Sequence, residues 1–265
     1  MMSKRLGVIS HLYAQPLFHK LMHAAENEAP PFTIVNDVTA ALAVKLRQKE
    51  LDGAFLSPID YAKDYAKYRI VPNVGVVSEG DGGVIQLLFN EHLRDIKTIA
   101  VDATSSSEIV LANIVLKEKH NIIPTIIPTP VSPEEALKKA DAVLLVGDTA
   151  LSMKEHSNRI DLVDEWTDIT EFPFVHGVWV AREKVLSSSE MQNLIDAAQN
   201  GMKDFPFDES NLGYLEEFDY ELKEEAVLSL TEFFRMAFYH GILKDIPDVK
   251  FHSLEEQNHR PVSLN

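Results

Sequence analysis

The chain has 265 residues, 45% of them hydrophobic, with Lys plus Arg at 25 against Asp plus Glu at 41, a net charge of −16. That length and composition suit one large domain or two ordinary lobes with a real core, while the acidity argues against nucleic acid and anionic membrane surfaces as partners, because phosphate binding needs a cationic footprint. The absence of cysteine removes disulfides, thiolate metal sites and cysteine nucleophiles together.

In chain order, Leu6–Ser10 reads as a strand and Pro16–Ala25 as a helix with proline in its first turn. Phe32–Asn36 is a second strand, and Asp37 caps a helix that carries Ala40, Leu42, Val44 and Leu46 and ends by Glu50. Gly53–Leu56 is a short buried strand, stopped at Ser57-Pro58 before a helix over 59–66. Strands follow at Ile70–Val77 and Gly83–Phe89, separated by a link that holds Gly80, Gly82 and Gly83. The rhythm then repeats as strand 97–101, helix 106–120, strand 122–127, helix 132–139 and strand 142–146. A short helix runs from Asp161 to Thr170, a strand over Phe172–Val180, and helices over 189–201 and 222–240, the last stopped by Gly241. Alternating strands and helices predict an α/β fold. The order divides into two lobes: residues 1–83 with 181–265, and residues 90–174, with crossovers near 84–89 and 175–180 and a ligand cleft between. The first apolar run ends by Ser10 and is too short for a signal-peptide core, and no stretch reaches the roughly 20 apolar residues of a membrane span, so a cytoplasmic protein is expected.

Ligands of open α/β sheets gather at the C-terminal ends of strands. Two strand ends here are chemically furnished. Ala142–Val146 runs into Gly147-Asp148, and Ile99–Val101 runs into Asp102, Thr104, Ser105, Ser106 and Ser107 at a helix start. Hydroxyls and free N–H groups at a helix start hold a carboxylate well, although Ser and Thr also serve there as plain caps. Ser57 has the same two readings, as a hydrogen-bond donor to ligand or as the cap of the helix after Pro58. Ser10, His11 and Tyr13 follow the first strand. There His11 suits general-base work near neutral pH and Tyr13 suits a carboxylate or a ring, or else both fill space. Asp148 orients a donor or caps a helix, and His176 reaches the cleft floor or stays as a core histidine. His19 and His23 stand four apart on a helix, but no acid or third ligand completes a metal set, so they read as a solvated face. No phosphate loop, dinucleotide fingerprint or nucleophile elbow is present. The pattern predicts a small anionic ligand, with no metal and no cofactor.

Several of these segments together resemble a known family. Leu51-Asp52-Gly53 through Ser57 and Tyr61, Thr104-Ser105-Ser106, Asp141 through Leu151, and Glu165-Trp166 through Trp179 are similar to the menaquinone-biosynthesis family that contains chorismate dehydratase and the dihydroxynaphthoate synthase of the futalosine pathway. The similarity spreads over essentially the whole chain. Gly7-Val8-Ile9-Ser10-His11-Leu12-Tyr13-Ala14-Gln15-Pro16-Leu17 resembles the dehydratase branch more closely, with its Gly-x-Ile-x-Tyr-Leu-Asn-x-x-Pro-Leu. The resemblance implies a two-lobed type 2 periplasmic-binding-protein-like fold. It also implies a carbon–oxygen lyase that forms 3-[(1-carboxyvinyl)oxy]benzoate from chorismate without a metal. This chain departs from that branch at His11, where the pattern has tyrosine, and at Tyr13, where it has a functional asparagine. It departs again at Ile85, near which a serine usually stands. The departures leave two other readings open: a small-carboxylate-binding protein of the same fold, and a lyase for another cyclic carboxylate.

Overall fold

A computed structural model describes residues 3–23, 32–102, 106–208 and 212–253. Thr104 and Ser105 lie outside the described residues. The strands are β1 (Lys4–Val8), β2 (Phe32–Asn36), β3 (Gly53–Leu56), β4 (Tyr68–Ser78), β5 (Ile85–Phe89), β6 (Thr98–Val101), β7 (Thr125–Pro128), β8 (Ala142–Val146), β9 (Arg159–Asp161), β10 (Phe174–Arg182) and β11 (Phe218–Asp219). The helices are α1 (Gln15–Met22), α2 (Thr39–Arg47), α3 (Pro58–Ala62), α4 (Ser106–His120), α5 (Pro133–Ala136), α6 (Asp148–Ser152), α7 (Leu162–Thr170), α8 (Ser188–Asp204), α9 (Leu212–Leu215) and α10 (Glu224–Tyr239). A single 3-10 turn, Leu12–Ala14, separates β1 from α1.

The strands form two sheets, ordered β11-β4-β10-β3-β1-β2 and β7-β6-β8-β5-β9. In the first, β1 runs parallel to β2 and β3, and β10 runs antiparallel to β3 and β4. In the second, β6 runs parallel to β7 and β8 while β5 runs antiparallel to β8 and β9. The C-terminal ends of β1, β6 and β8 therefore carry the loops that furnish a cleft, as the parallel-sheet rule requires.

β5 lies in the second sheet and β10 in the first, and segments 79–84 and 171–173 join the two sheets. The His176-Gly177 step reads as expected: a Cβ at Gly177 would meet the Phe55 ring at 2.3 Å, so the missing side chain lets β10 close against the ring.

One apolar cluster runs through both sheets, from Leu6, Val8 and Phe55 to Ile85, Ile99 and Leu144. Trp166 of α7 packs edge-on against Phe174 of β10 (6.1 Å) and Phe233 of α10 (5.7 Å). Its indole N–H donates to the Pro173 carbonyl at 3.3 Å. Among the described residues, no helix is long and apolar enough to cross a membrane.

Candidate functional site

A cavity of about 550 Å³ lies over the strand ends of the second sheet, and His11 is what the first sheet's side brings to it. His11 comes to it from the end of β1; Asp102, Thr129, Ser132, Val146 and Thr149 come from the ends of β6, β7 and β8 and the turns after them. Its hydroxyls and strand-end backbone suit the oxygens of a small organic anion.

The two sides are tied together beside His11. The next residue's N–H, that of Leu12, donates to Asp148 Oδ1 at 3.1 Å, across 136 residues of sequence. Burial lowers the His11 pKa below its ordinary 6.5, and the nearby Asp148 charge partly offsets this. A lowered pKa leaves the imidazole neutral at physiological pH, the form that accepts a proton.

Tyr13 is 3% exposed and lies behind His11. Its ring stacks on His11 (5.4 Å, 10°) and on Phe218 (5.5 Å, 14°), and meets His176 at 5.3 Å. Burial, followed by the Glu108 charge, raises the phenol pKa well above 10.0, so it stays protonated. His176 is buried on β10, its Nε2 2.7 Å from Ser78 Oγ. Burial, followed by the nearness of His11, lowers its pKa to about 3, so it is neutral throughout the physiological range.

The serines divide. Ser57 Oγ accepts from the Asp60 N–H at 3.4 Å and donates to Asp60 Oδ2 at 2.9 Å, the local cap geometry rather than a group turned to a ligand. Ser107 Oγ accepts from the Ile59 N–H of α3 at 3.0 Å, a second bond between the lobes. Ser106 is half-buried in the first turn of α4. Ser10 is exposed, and its carbonyl accepts from Gln15 Nε2 at 3.2 Å. Asp148 is exposed in the first turn of α6. The His19 and His23 rings lie 4.6 Å apart, and no group of three or more metal-ligating side chains occurs among the described residues.

Two residues escaped the sequence reading. Glu108, 7% exposed in the first turn of α4, has its pKa pushed up to about 7 by burial and then by the Asp60 charge. Its signal is the Ser105-x-x-Glu108 spacing, which has the form of a capping box and on its face asks for nothing more. Ser78 gives no sequence signal, because its importance comes from the β4–β10 pairing that brings it to His176.

Solved structures share this architecture. An Archaeoglobus fulgidus protein is 20% identical, with 91% of this chain and 98% of that one covered and a TM-score of 0.68. A Candida albicans protein described as having the generic periplasmic binding protein fold is 14% identical, covering 94% and 93%, at a TM-score of 0.65. The alkanesulfonate-binding protein of Xanthomonas axonopodis is 14% identical, covering 93% and 96%, at 0.67. These likenesses establish the two-lobed periplasmic-binding-protein-like fold. The family model for menaquinone biosynthesis matches residues 4–239, and the chain belongs to that family.

Proposed function

We propose that this protein is a cytoplasmic carbon–oxygen lyase of the chorismate dehydratase type, forming 3-[(1-carboxyvinyl)oxy]benzoate for menaquinone biosynthesis by the futalosine pathway. Its lobes comprise residues 1–83 with 181–265, and 90–174. The observation that carries the reading is a neutral His11 at the wall of a cavity over the strand ends of the second sheet.

The reaction needs little more than a well-placed base. His11 takes the ring proton from the carbon that bears the enolpyruvyl ether, a position made acidic by conjugation to the ring carboxylate. The electron pair forms the new ring double bond as hydroxide leaves the neighbouring carbon, and the imidazolium returns its proton to that hydroxide. One water is lost, the ring becomes aromatic, and His11 ends as it began. General-base catalysis of this kind contributes about 10²- to 10⁴-fold, with holding the substrate in line adding to it. The substrate carboxylates fall to the Thr149 hydroxyl and to the strand-end backbone that lines the cavity, where N–H groups supply local positive potential.

Purified protein incubated with chorismate tests this, with the product followed by chromatography against a protein-free control. Protein-dependent 3-[(1-carboxyvinyl)oxy]benzoate is the expected result. Folded protein that binds chorismate and leaves it unchanged would instead favour a carboxylate-binding protein of the same fold, a reading supported by the internal bonds that already occupy the Ser57 and Ser107 hydroxyls.

A further inference from the structure

We propose that Gly147 is a positioning residue for this site: it presents a bare backbone surface across the lobe boundary on which the His11 ring rests, so that the base is in place only when the lobes are closed. What His11 then does depends on the lyase reading; how it is held does not.

Gly147 ends β8 with φ 65° and ψ −138°, a conformation that favours glycine. Its own backbone groups fix it from both sides. Its N–H donates to the Val84 carbonyl at 2.8 Å, and its carbonyl accepts from the Leu151 N–H at 3.0 Å. A Cβ placed on it would stand 2.3 Å from His11 Nδ1, 2.8 Å from Cε1 and 3.1 Å from Cγ. The imidazole thus lies directly on the glycine. Tyr13 lies nearly parallel to the same ring. The Leu12–Asp148 bond holds the backbone beside it. Any side chain at position 147 would push the ring off its seat or hold the lobes apart.

The groups that face His11 are Asp148 from α6, His176 from β10 and Tyr13 from its own segment. Asp148 and Gly147 belong to one lobe, His11, Tyr13 and His176 to the other. When the lobes part, His11 loses its seat and gains water. Hydration favours imidazolium, which has no lone pair for a substrate proton. Closure therefore aligns the base and also keeps it unprotonated.

The test reads the His11 imidazole by NMR titration in the whole protein, its signals assigned by their loss in His11→Ala. The wild-type midpoint is expected below 6.5. In Gly147→Ala it moves up towards 6.5, and the ring-current shift that Tyr13 imposes on the His11 protons shrinks. Ser107→Ala removes the bond from Ile59 across the lobes and touches neither His11 nor Gly147; it moves the midpoint the same way by less. A folded Gly147→Ala protein with an unmoved His11 midpoint overturns the seat. Should the positive φ keep that variant from folding, the wild-type protein decides: the absence of a nuclear Overhauser contact between the His11 ring protons and the Gly147 α-protons overturns the seat. Under the lyase reading, Gly147→Ala also lowers kcat about 100-fold, the order expected for a misplaced reacting group, with little change in KM. A wild-type protein that makes no product sinks the lyase reading and leaves the titration to decide the seat.

Discussion

His11 and His176 share one cluster of rings, and their surroundings give them different work. His176 is 3% exposed and bonded to Ser78, and its low pKa rules out proton uptake near neutrality. His11 is partly open to the cavity. Replacing each with alanine should separate the two. His11→Ala is expected to lower turnover by about 10²- to 10⁴-fold with a small change in stability. His176→Ala leaves a cavity and an unpartnered Ser78 hydroxyl, and is expected to cost about 2–4 kcal/mol. Turnover and urea unfolding of both variants check this, and the opposite pattern would exchange the roles. Glu108 makes a prediction in pH. Its folded pKa of about 7 lies above the ordinary 4.5, so the unfolded chain ionises first as pH rises. The folded state then holds the extra proton, and stability falls between pH 4.5 and 7 and levels off above. At 1.36 kcal/mol per unit the loss is roughly 3 kcal/mol. Glu108→Gln abolishes that slope, so the variant should gain on wild type between pH 5 and pH 8. Equal differences in unfolding free energy at the two pH values would mean that Glu108 ionises freely in the fold.

At the level of elements, the sequence speaks where a segment is long or sharply bounded. Phe32–Asn36, Gly53–Leu56, α4 over 106–120 and β8 over 142–146 stand where apolar runs and turn-formers place them. The helix expected over 59–66 stops at Ala62, and the one over 132–139 shrinks to Pro133–Ala136. β9 and β11 were silent because strands of three and two residues have no periodicity; pairing with β5 and β4 defines them. The site divides in the same way. His11 and Asp148 were legible because each follows a strand end, a local fact. Glu108 and Ser78 were not, because burial and cross-strand contact give them their character. Asp161 shows how one residue joins elements that the sequence lists separately. Its Oδ1 accepts from the N–H groups of Val163 and Asp164 at the start of α7, and its Oδ2 accepts from the Gly83 N–H and from Gln86 Nε2. Asp161→Ala strands four donors, three of them bonded at 2.7 to 2.8 Å, and is expected to cost about 3 kcal/mol or more. Ser187→Ala removes an ordinary capping box from α8 and should cost about 1 kcal/mol. Urea midpoints compare the two, and similar losses would show that the Gly83 and Gln86 bonds add nothing.

Across the whole molecule, the two passages between sheets differ in kind. The passage at 171–173 is pinned: Trp166 and Ser229 both donate to the Pro173 carbonyl, and the rings of Trp166, Phe174 and Phe233 close around it. The passage at 79–84 contains Gly80 and Gly82, where a Cβ would meet nothing within 4 Å, and is held only further on, by Arg159 on Asp81 and by Asp161 on the Gly83 N–H. Lobe motion should therefore pivot on the pinned passage, with the glycine link following. On the cleft side the lobes are joined by the Leu12–Asp148 and Ile59–Ser107 bonds. Each is worth on the order of 1 kcal/mol, or somewhat more where the acceptor is charged. Losing both acceptors removes roughly 2–3 kcal/mol from closure, enough to turn a mostly closed protein into a mostly open one if the closed state leads by no more than that. The Asp148→Ala, Ser107→Ala double variant should have a larger radius of gyration than wild type by small-angle scattering, with helix content unchanged. The comparison has to be made at one ionic strength, because a net charge of −16 spreads the chain at low salt whatever the lobes do. An unchanged radius would place the hold on closure in the packing of α4 against α3 and α10 rather than in these two hydrogen bonds.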